Sequence, residues 1–464
     1  MTGRKIVHPY IPNSEPRVKS QMLRTIGASS VDDLYEDIPD ELRFKGKLNL
    51  PEPFPSEYAL KRHVEDLLRK NATCQQYLNF LGAGCYQHHV PAICDEVNQR
   101  GEFLTAYAGE PYDDHGRFQA LFEYCSMMGE LLEMDVVSVP TYDGFQATAT
   151  ALRMACRVTG RKRVLLPKIQ SGDKLAKVRD YLKPDIEIRL IEPDAKTGGV
   201  NLQDLGKKIN KECAAVYFEN PSYLGLLEPQ GDAISNLAHS QGAMVVVSVD
   251  PISLGVLTPP VRYGADIVCG DIQSLGMHMQ YGGGQAGFIA SNDEEKIVMQ
   301  YPSRLFGIAP TKERGEYGFG DVAYERTSFA RREEGNEWVG TAAALWGITA
   351  GVYLALMGPQ GMREIGEEIL YRTRYAEQEI GKIKGVRTSI FSYPSFREFA
   401  VNFDDCGKKV NEINASLLKK GIFGGKDLSN EFPWLGESAL YCFTEVHTQE
   451  DIDRLVDTLE EVTA

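Results

Sequence analysis

No Cys-x-x-Cys pair occurs among the nine cysteines, which are scattered from Cys74 to Cys442. An odd, unpaired set in a chain this long excludes a disulfide scaffold or a zinc ribbon. It reads as reduced thiols serving as small apolar side chains, the pattern of a cytoplasmic protein. A basic excess is also missing. The net charge is −15 across 464 residues, so phosphate backbones and anionic lipid are repelled rather than recruited. No apolar run follows Met1, and no secretory leader is expected. HExxH, GxSxG and Walker-type loops are absent. Only one long uncharged stretch exists, Thr341 to Gly358. It approaches bilayer length, but it is rich in Ala, Gly and Thr and stands alone. A helix buried on all sides is expected there, not a membrane span. Finally, residues 212–295 contain no lysine. That stretch cannot supply the primary amine that imine chemistry requires.

What is present is the balance of an ordinary globular chain, 43% apolar and 25% charged. Its length suits several packed subdomains. Residues 1–65 read as an arm with short helices, broken by Pro9, Pro12, Pro16, Pro51, Pro53 and Pro55. Ser30 with Asp33 three residues on predicts a capped helix start. Residues 66–335 alternate short β-branched runs with helical segments. The runs predict strands at 163–166, 186–191, 214–218, 243–249, 266–269 and 287–290. They are continuously apolar, the mark of strands covered on both faces. Helices are expected over 174–182, 202–210 and 232–239. Such repetition predicts a large α/β domain on a mainly parallel sheet, with ligands beyond the carboxyl ends of its strands. Residues 336–464 predict helices over 341–357 and 361–384, strands over 398–403 and 439–443, and helices over 408–420 and 448–459. This is a smaller α+β domain.

Four segments could carry chemistry. Tyr142-Asp143-Gly144-Phe145-Gln146 is a small-residue turn opening a helix. Its exposed amides can cradle a phosphate, or it is simply a tight packing turn. Asp250 ends a strongly apolar strand and precedes Pro251-Ile252-Ser253. An acid there must be paired, either with a ligand's cationic ring or as a turn cap. Gly270-Asp271-Ile272-Gln273-Ser274-Leu275-Gly276-Met277-His278 follows the next short strand, ahead of Gly282-Gly283-Gly284. An apolar strand follows these glycines, so a dinucleotide loop is not supported. Leu81-Gly82-Ala83-Gly84-Cys85-Tyr86-Gln87-His88-His89 invites a metal, but its spacing matches no complete ligand set, and none is expected.

Together these residues resemble subunit 1, the alpha half, of the two-subunit glycine dehydrogenase (decarboxylating), the P-protein of the glycine cleavage system. The likeness runs from about residue 10 to 460. It is carried by Tyr10-Ile11-Pro12-Asn13, Asp37-Ile38-Pro39-Asp40-Glu41-Leu42-Arg43, Phe80-Leu81-Gly82-Ala83-Gly84, Tyr142-Asp143-Gly144, Ser248-Val249-Asp250-Pro251-Ile252-Ser253-Leu254-Gly255 and Gln273-Ser274-Leu275-Gly276. The resemblance implies a pyridoxal-phosphate (PLP) transferase fold of the aspartate-aminotransferase type. It also implies that the reactive lysine and the PLP sit on a homologous beta subunit, in an α2β2 assembly. That assembly would decarboxylate glycine and pass the aminomethyl group to a lipoyl H-protein. This chain would have no catalytic residue of its own. Asp143, Gly144, Phe145, Gln146, Asp250, Gln273, Ser274 and His278 would line a vestigial or shared cofactor site, with Asp250 and Gln273 facing ring and aldehyde. Tyr86, His88, Tyr107 and Glu110 would face substrate or the interface.

Three segments depart from the family pattern: Ala108 to Gly116, Gly335 to Thr341 with Trp338, and Gly284-Gln285-Ala286. They leave room for a two-component PLP lyase acting on another small amine or amino acid. The missing lysine also leaves room for a regulatory protein built on a silent fold.

Overall fold

The structure is a computed structural model. It describes residues 7–8, 10–54, 56–103, 115–322, 337, 339, 343–388 and 390–464. Tyr107, Glu110 and Trp338 lie outside the described residues. The chain divides into two units, Met1–Asn71 and Ala72–Ala464.

The first unit carries α1 (Pro16–Thr25) and α2 (Glu57–Leu68). Each starts on a side-chain cap. Glu15 accepts from the Val18 amide and Ser56 from the Ala59 amide. The start predicted at Ser30 is a single 3-10 turn, Asp32–Tyr35, rather than an α-helix. Asp33 takes hydrogen bonds from both Ser29 and Ser30, as expected of a cap, but the helix does not extend beyond that turn.

The second unit runs β1 (Leu78–Asn79), α3 (Ala92–Asn98), α4 (His115–Leu132), β2 (Val136–Val137), α5 (Gly144–Thr159), β3 (Arg163–Pro167), α6 (Gly172–Leu182), β4 (Glu187–Ile191), α7 (Leu202–Lys208), β5 (Cys213–Glu219), α8 (Gly231–Ser240), β6 (Met244–Val249), β7 (Ile267–Asp271), β8 (Gly287–Ser291) and α9 (Glu295–Val298). It continues with β9 (Phe306–Pro310), β10 (Tyr317–Asp321), α10 (Ala344–Ile380), β11 (Glu398–Asn402), α11 (Val410–Lys419), β12 (Ile422–Phe423), β13 (Lys426–Asp427), β14 (Ser438–Cys442) and α12 (Gln449–Thr463).

The main sheet has seven strands in the order β2-β8-β7-β6-β5-β3-β4. Strands β3 to β7 pair in parallel, while β8 runs antiparallel to both β7 and β2. Alternate side chains explain the continuous apolar runs. Val164, Val246 and Ile267 pack with Leu152 of α5 on one face. Leu165, Val216, Val245 and Val247 pack with Met128 of α4 and Tyr353 of α10 on the other. All six residues of β6 are buried, and each such aliphatic side chain contributes roughly 1.5–3 kcal/mol. A second sheet, β11-β14-β13, is antiparallel.

The uncharged stretch enters α10, which packs along α4. A Cβ at Gly347 would stand 2.8 Å from Pro140, and one at Gly351 would stand 3.3 Å from Tyr124. Small residues let the two backbones approach there. Among the described residues no helix is long and apolar enough to cross a membrane. The two helices expected at 341–357 and 361–384 are both present within α10, separated where Gly358 leaves helical geometry (φ 58°, ψ −177°) ahead of Pro359.

Candidate active site

The carboxyl ends of β5, β6 and β7, the heads of α5 and α6, and the segment around Tyr86 surround a cavity of about 130 Å³. A larger hollow of about 620 Å³ lies beside α4 and β2. Its polar lining is a scatter of acids rather than converging donors and acceptors, so the smaller cavity is the candidate site.

Asp250 leaves the end of β6 and does two things at once. Its Oδ1 caps the following turn, accepting from the Ile252 amide (3.3 Å) and the Ser274 hydroxyl (3.0 Å). Its Oδ2 is ion-paired with Arg397, which arrives from the residue before β11. Arg397 is 2% exposed, and its guanidinium lies 4.1 Å from the centre of the Tyr86 ring. The backbone at Arg397 has φ 66°, a left-handed value that aims the side chain inward.

Tyr86 is fixed from three sides. Its amide donates to Gln273 Oε1 (3.0 Å), its carbonyl accepts from Gln273 Nε2 (3.0 Å), and its hydroxyl donates to Glu398 (3.0 Å). Gln273 Nε2 also reaches the Met277 carbonyl (3.0 Å). The Gln273 side chain is therefore a bridge between two loops and does not project toward a ligand's aldehyde. Burial pushes the Glu398 carboxyl up to about 7, against the pull of the Ala83 amide and the Tyr86 hydroxyl.

At the head of α5, Asp143 caps the Gln146 amide (2.7 Å), and Asp271 Oδ2 accepts from the Gly144 amide (2.9 Å). Glycine at 144 relieves a tight approach: a Cβ there would stand 3.0 Å from the Asp271 Cβ. Asp271 Oδ1 takes the Gln273 amide (2.8 Å). Burial pushes the Asp271 carboxyl up to about 7, although backbone amides hold it down. The Phe145 ring carries the Lys177 ammonium 4.3 Å from its centre.

Two of the sequence candidates lie elsewhere. His278 is half exposed and pairs with Asp95 (3.0 Å). His88 is buried and pairs with Glu445 (2.7 Å), whose other oxygen takes the His89 amide (2.7 Å). Burial opposes charge on Glu445, but His88 outweighs it and holds the carboxyl down at about 2. Cys85 approaches the Met279 carbonyl (3.7 Å), so Cys85, His88 and His89 do not converge. Among the described residues no group of three or more His, Cys, Asp or Glu side chains could hold a metal ion.

One lysine does reach the cavity, from outside residues 212–295. Lys174, in the first turn of α6, bonds Glu219 (2.7 Å) and Ser248 (3.5 Å). Burial works against its charge, yet the Glu219 carboxylate beside it raises its pKa above the ordinary value. An amine that keeps its proton is no nucleophile. Arg397, Lys174, Asp271 and Glu398 are site residues that sequence reasoning missed. The charged pair Arg397-Glu398 at the head of an apolar strand was the available signal.

These groups do not fit pyridoxal phosphate. The amides of Gly144 and Gln146 are already taken by carboxylates, the acid at the strand end by a guanidinium, and the lysine by Glu219.

Residues 8–459 match the family model described as glycine cleavage system P-protein. The chain is 38% identical over 464 residues to a probable glycine dehydrogenase (decarboxylating) subunit 1 of Staphylothermus marinus, covering 98% of each chain. It is 38% identical to the protein of the same description from Geobacillus kaustophilus, covering 98% of this chain and 99% of that one. A crystal structure of glycine decarboxylase (P-protein) in inhibitor-bound form superposes with a TM-score of 0.84 at 32% identity, over 98% of this chain and 100% of that one. A Burkholderia pseudomallei sphingosine-1-phosphate lyase shares the fold alone, with a TM-score of 0.66 at 14% identity, over 92% of this chain and 94% of that one.

Proposed function

The chain belongs to the glycine cleavage system P-protein family, and from that premise we propose that it is subunit 1 of a two-subunit glycine dehydrogenase (decarboxylating). The pyridoxal phosphate sits on a homologous lysine-bearing subunit 2, two copies of each chain assemble, and a lipoyl H-protein receives the aminomethyl group. On that partner the cofactor supplies the electron sink for the carbanion left when glycine loses carbon dioxide. This chain supplies wall and support. Asp250, Arg397, Tyr86 and Glu398 hold one another in a largely buried network that fixes the segment 83–86 against the sheet.

The observation that carries this reading is the pairing of a P-protein fold with a pocket whose lining, among the described residues, offers no unpaired amine. Lys174 is tied to Glu219, and none of residues 212–295 is lysine. The purified pair is expected to exchange the glycine carboxyl with bicarbonate when lipoylated H-protein is present. A folded, cofactor-loaded pair with no exchange overturns the assignment. Borohydride reduction of the loaded pair, followed by peptide mapping, is expected to place the pyridoxyl label on subunit 2. A stoichiometric label on Lys174 contradicts it.

A further inference from the structure

We infer that this chain's own pocket is closed to phosphate-bearing ligands from within, because Asp271 holds the phosphate's place at the head of α5 and Arg397 holds the acid that would face a ring. The inference deepens the reading above, which places the cofactor on the partner, and says why it cannot also bind here.

A helix N-terminus attracts an anion through its free amides and its dipole. At α5 that role is filled internally. The Asp271 carboxylate lies across the Gly144 amide at 2.9 Å and the Gln273 amide at 2.8 Å, and Asp143 takes Gln146 at 2.7 Å. The fit is close enough that a methyl group at Gly144 would press on the Asp271 Cβ. A phosphate approaching this turn would meet a carboxylate already occupying its donors. Above about pH 7, where Asp271 is ionised, the two like charges also repel.

The head of α6, the other helix opening on the cavity, is filled the same way. The Gly172 amide donates to Glu431 (2.5 Å), and Ser171 caps Lys174. Glu431 also accepts from the Tyr223 hydroxyl (3.0 Å) and Lys426 (2.9 Å). Two of the three groups come from the C-terminal stretch, Arg397 and Glu431, while Asp271 is the last residue of the parallel strand β7. A cavity of about 130 Å³ remains, but the helix amides at its rim that would hold a phosphate are already taken.

The test uses the full chain and two probes that cannot react with surface lysines, inorganic phosphate and pyridoxamine 5′-phosphate, measured by equilibrium dialysis. The wild-type chain is expected to bind neither probe saturably up to millimolar concentration. Asp271→Ala, which vacates the turn, is expected to bind both at least about tenfold more tightly, an effect of order 1.4 kcal/mol. Asp271→Asn keeps an acceptor but removes the charge. It is expected to gain several-fold and serves if the alanine variant does not fold. Saturable micromolar binding by the wild type overturns the inference, as does a folded Asp271 variant that binds no better than wild type. Glycine exchange by the wild-type pair is read separately. A failure of the plug with exchange intact sinks only this inference, and a loss of exchange sinks the assignment of function.

Discussion

At the scale of single residues, the centre of the site is a cluster of buried charges, and its energetics are lopsided. Asp250 and Arg397 attract each other at low dielectric, but removing one leaves the other desolvated and unpaired. Asp250→Ala is therefore expected to lower unfolding free energy by about 3–5 kcal/mol in urea titrations. A loss below about 1 kcal/mol would mean that Arg397 finds water or another acceptor, and that the pair is not the keystone of the site.

Glu398 makes a second residue-scale prediction, through pH. The unfolded chain ionises this side chain near 4.5, whereas the folded chain holds its proton up to about 7. Through that window the native state binds the extra proton, so stability falls as pH rises from about 4.5 to about 7. Asp271 works in the same direction, from 3.8 to about 7. Glu445 has the opposite sign but titrates near 2, so it adds no opposing slope above its unfolded value of 4.5. Glu398→Gln is expected to flatten the decline of thermal midpoint between pH 5 and 7. An unchanged slope would show that Glu398 is already ionised in the native protein.

At the scale of elements, the sequence was most readable where one physical rule acted alone. The strand run Met244–Val249 needed only two-sided burial to be recognised, and it forms β6 within a residue of its expected limits. The run of Ala and Gly after Thr341 pointed to close helix packing, and α10 meets α4 through Gly347 and Gly351. What could not be read was pairing between distant residues. Arg397 and Asp250 are 147 positions apart, and Lys174 finds Glu219 over 45. A charge beside an apolar strand, as at Asp250 and Arg397, marks a group that needs a partner, but nothing local says which distant residue that partner is. Asp271 lies inside the glycine-flanked run after β7, but its role depends on a turn 127 residues earlier.

Glycine gives a matched test at this scale. A side chain at Gly347 must displace Pro140, so Gly347→Leu is expected to destabilise by about 1–3 kcal/mol or more through overpacking. Gly206 is exposed inside α7, and a Cβ placed there would meet nothing within 4 Å. Gly206→Ala should stabilise by about 0.5–1 kcal/mol, because only the backbone entropy term changes. Calorimetric midpoints moving in the same direction for both variants would refute the packing account of α10.

At the scale of the whole molecule, the uneven distribution of apolar surface matters most. Among the described residues, nineteen of the twenty-nine exposed large hydrophobic side chains fall between Val7 and Leu68, and none up to Asn71 is buried. Helices of 10 and 12 residues are marginal in water without an apolar face to bury. Yet this segment is no incidental extension. The family model starts at residue 8, and the relatives align over 98% of the chain. A segment kept at full length, rich in apolar side chains and without a core of its own, has a surface that a second polypeptide would cover. Subunit 2 is the partner that the proposed function supplies. Hydrogen exchange should therefore be fast across α1 and α2 in the isolated chain and slow markedly when subunit 2 is added, with little change in β5 and β6, which are already buried. Equal protection of α1 and α2 in the free and paired states would show that this segment needs no partner, and would leave the acidic body of the chain as the surface on which subunit 2 must dock.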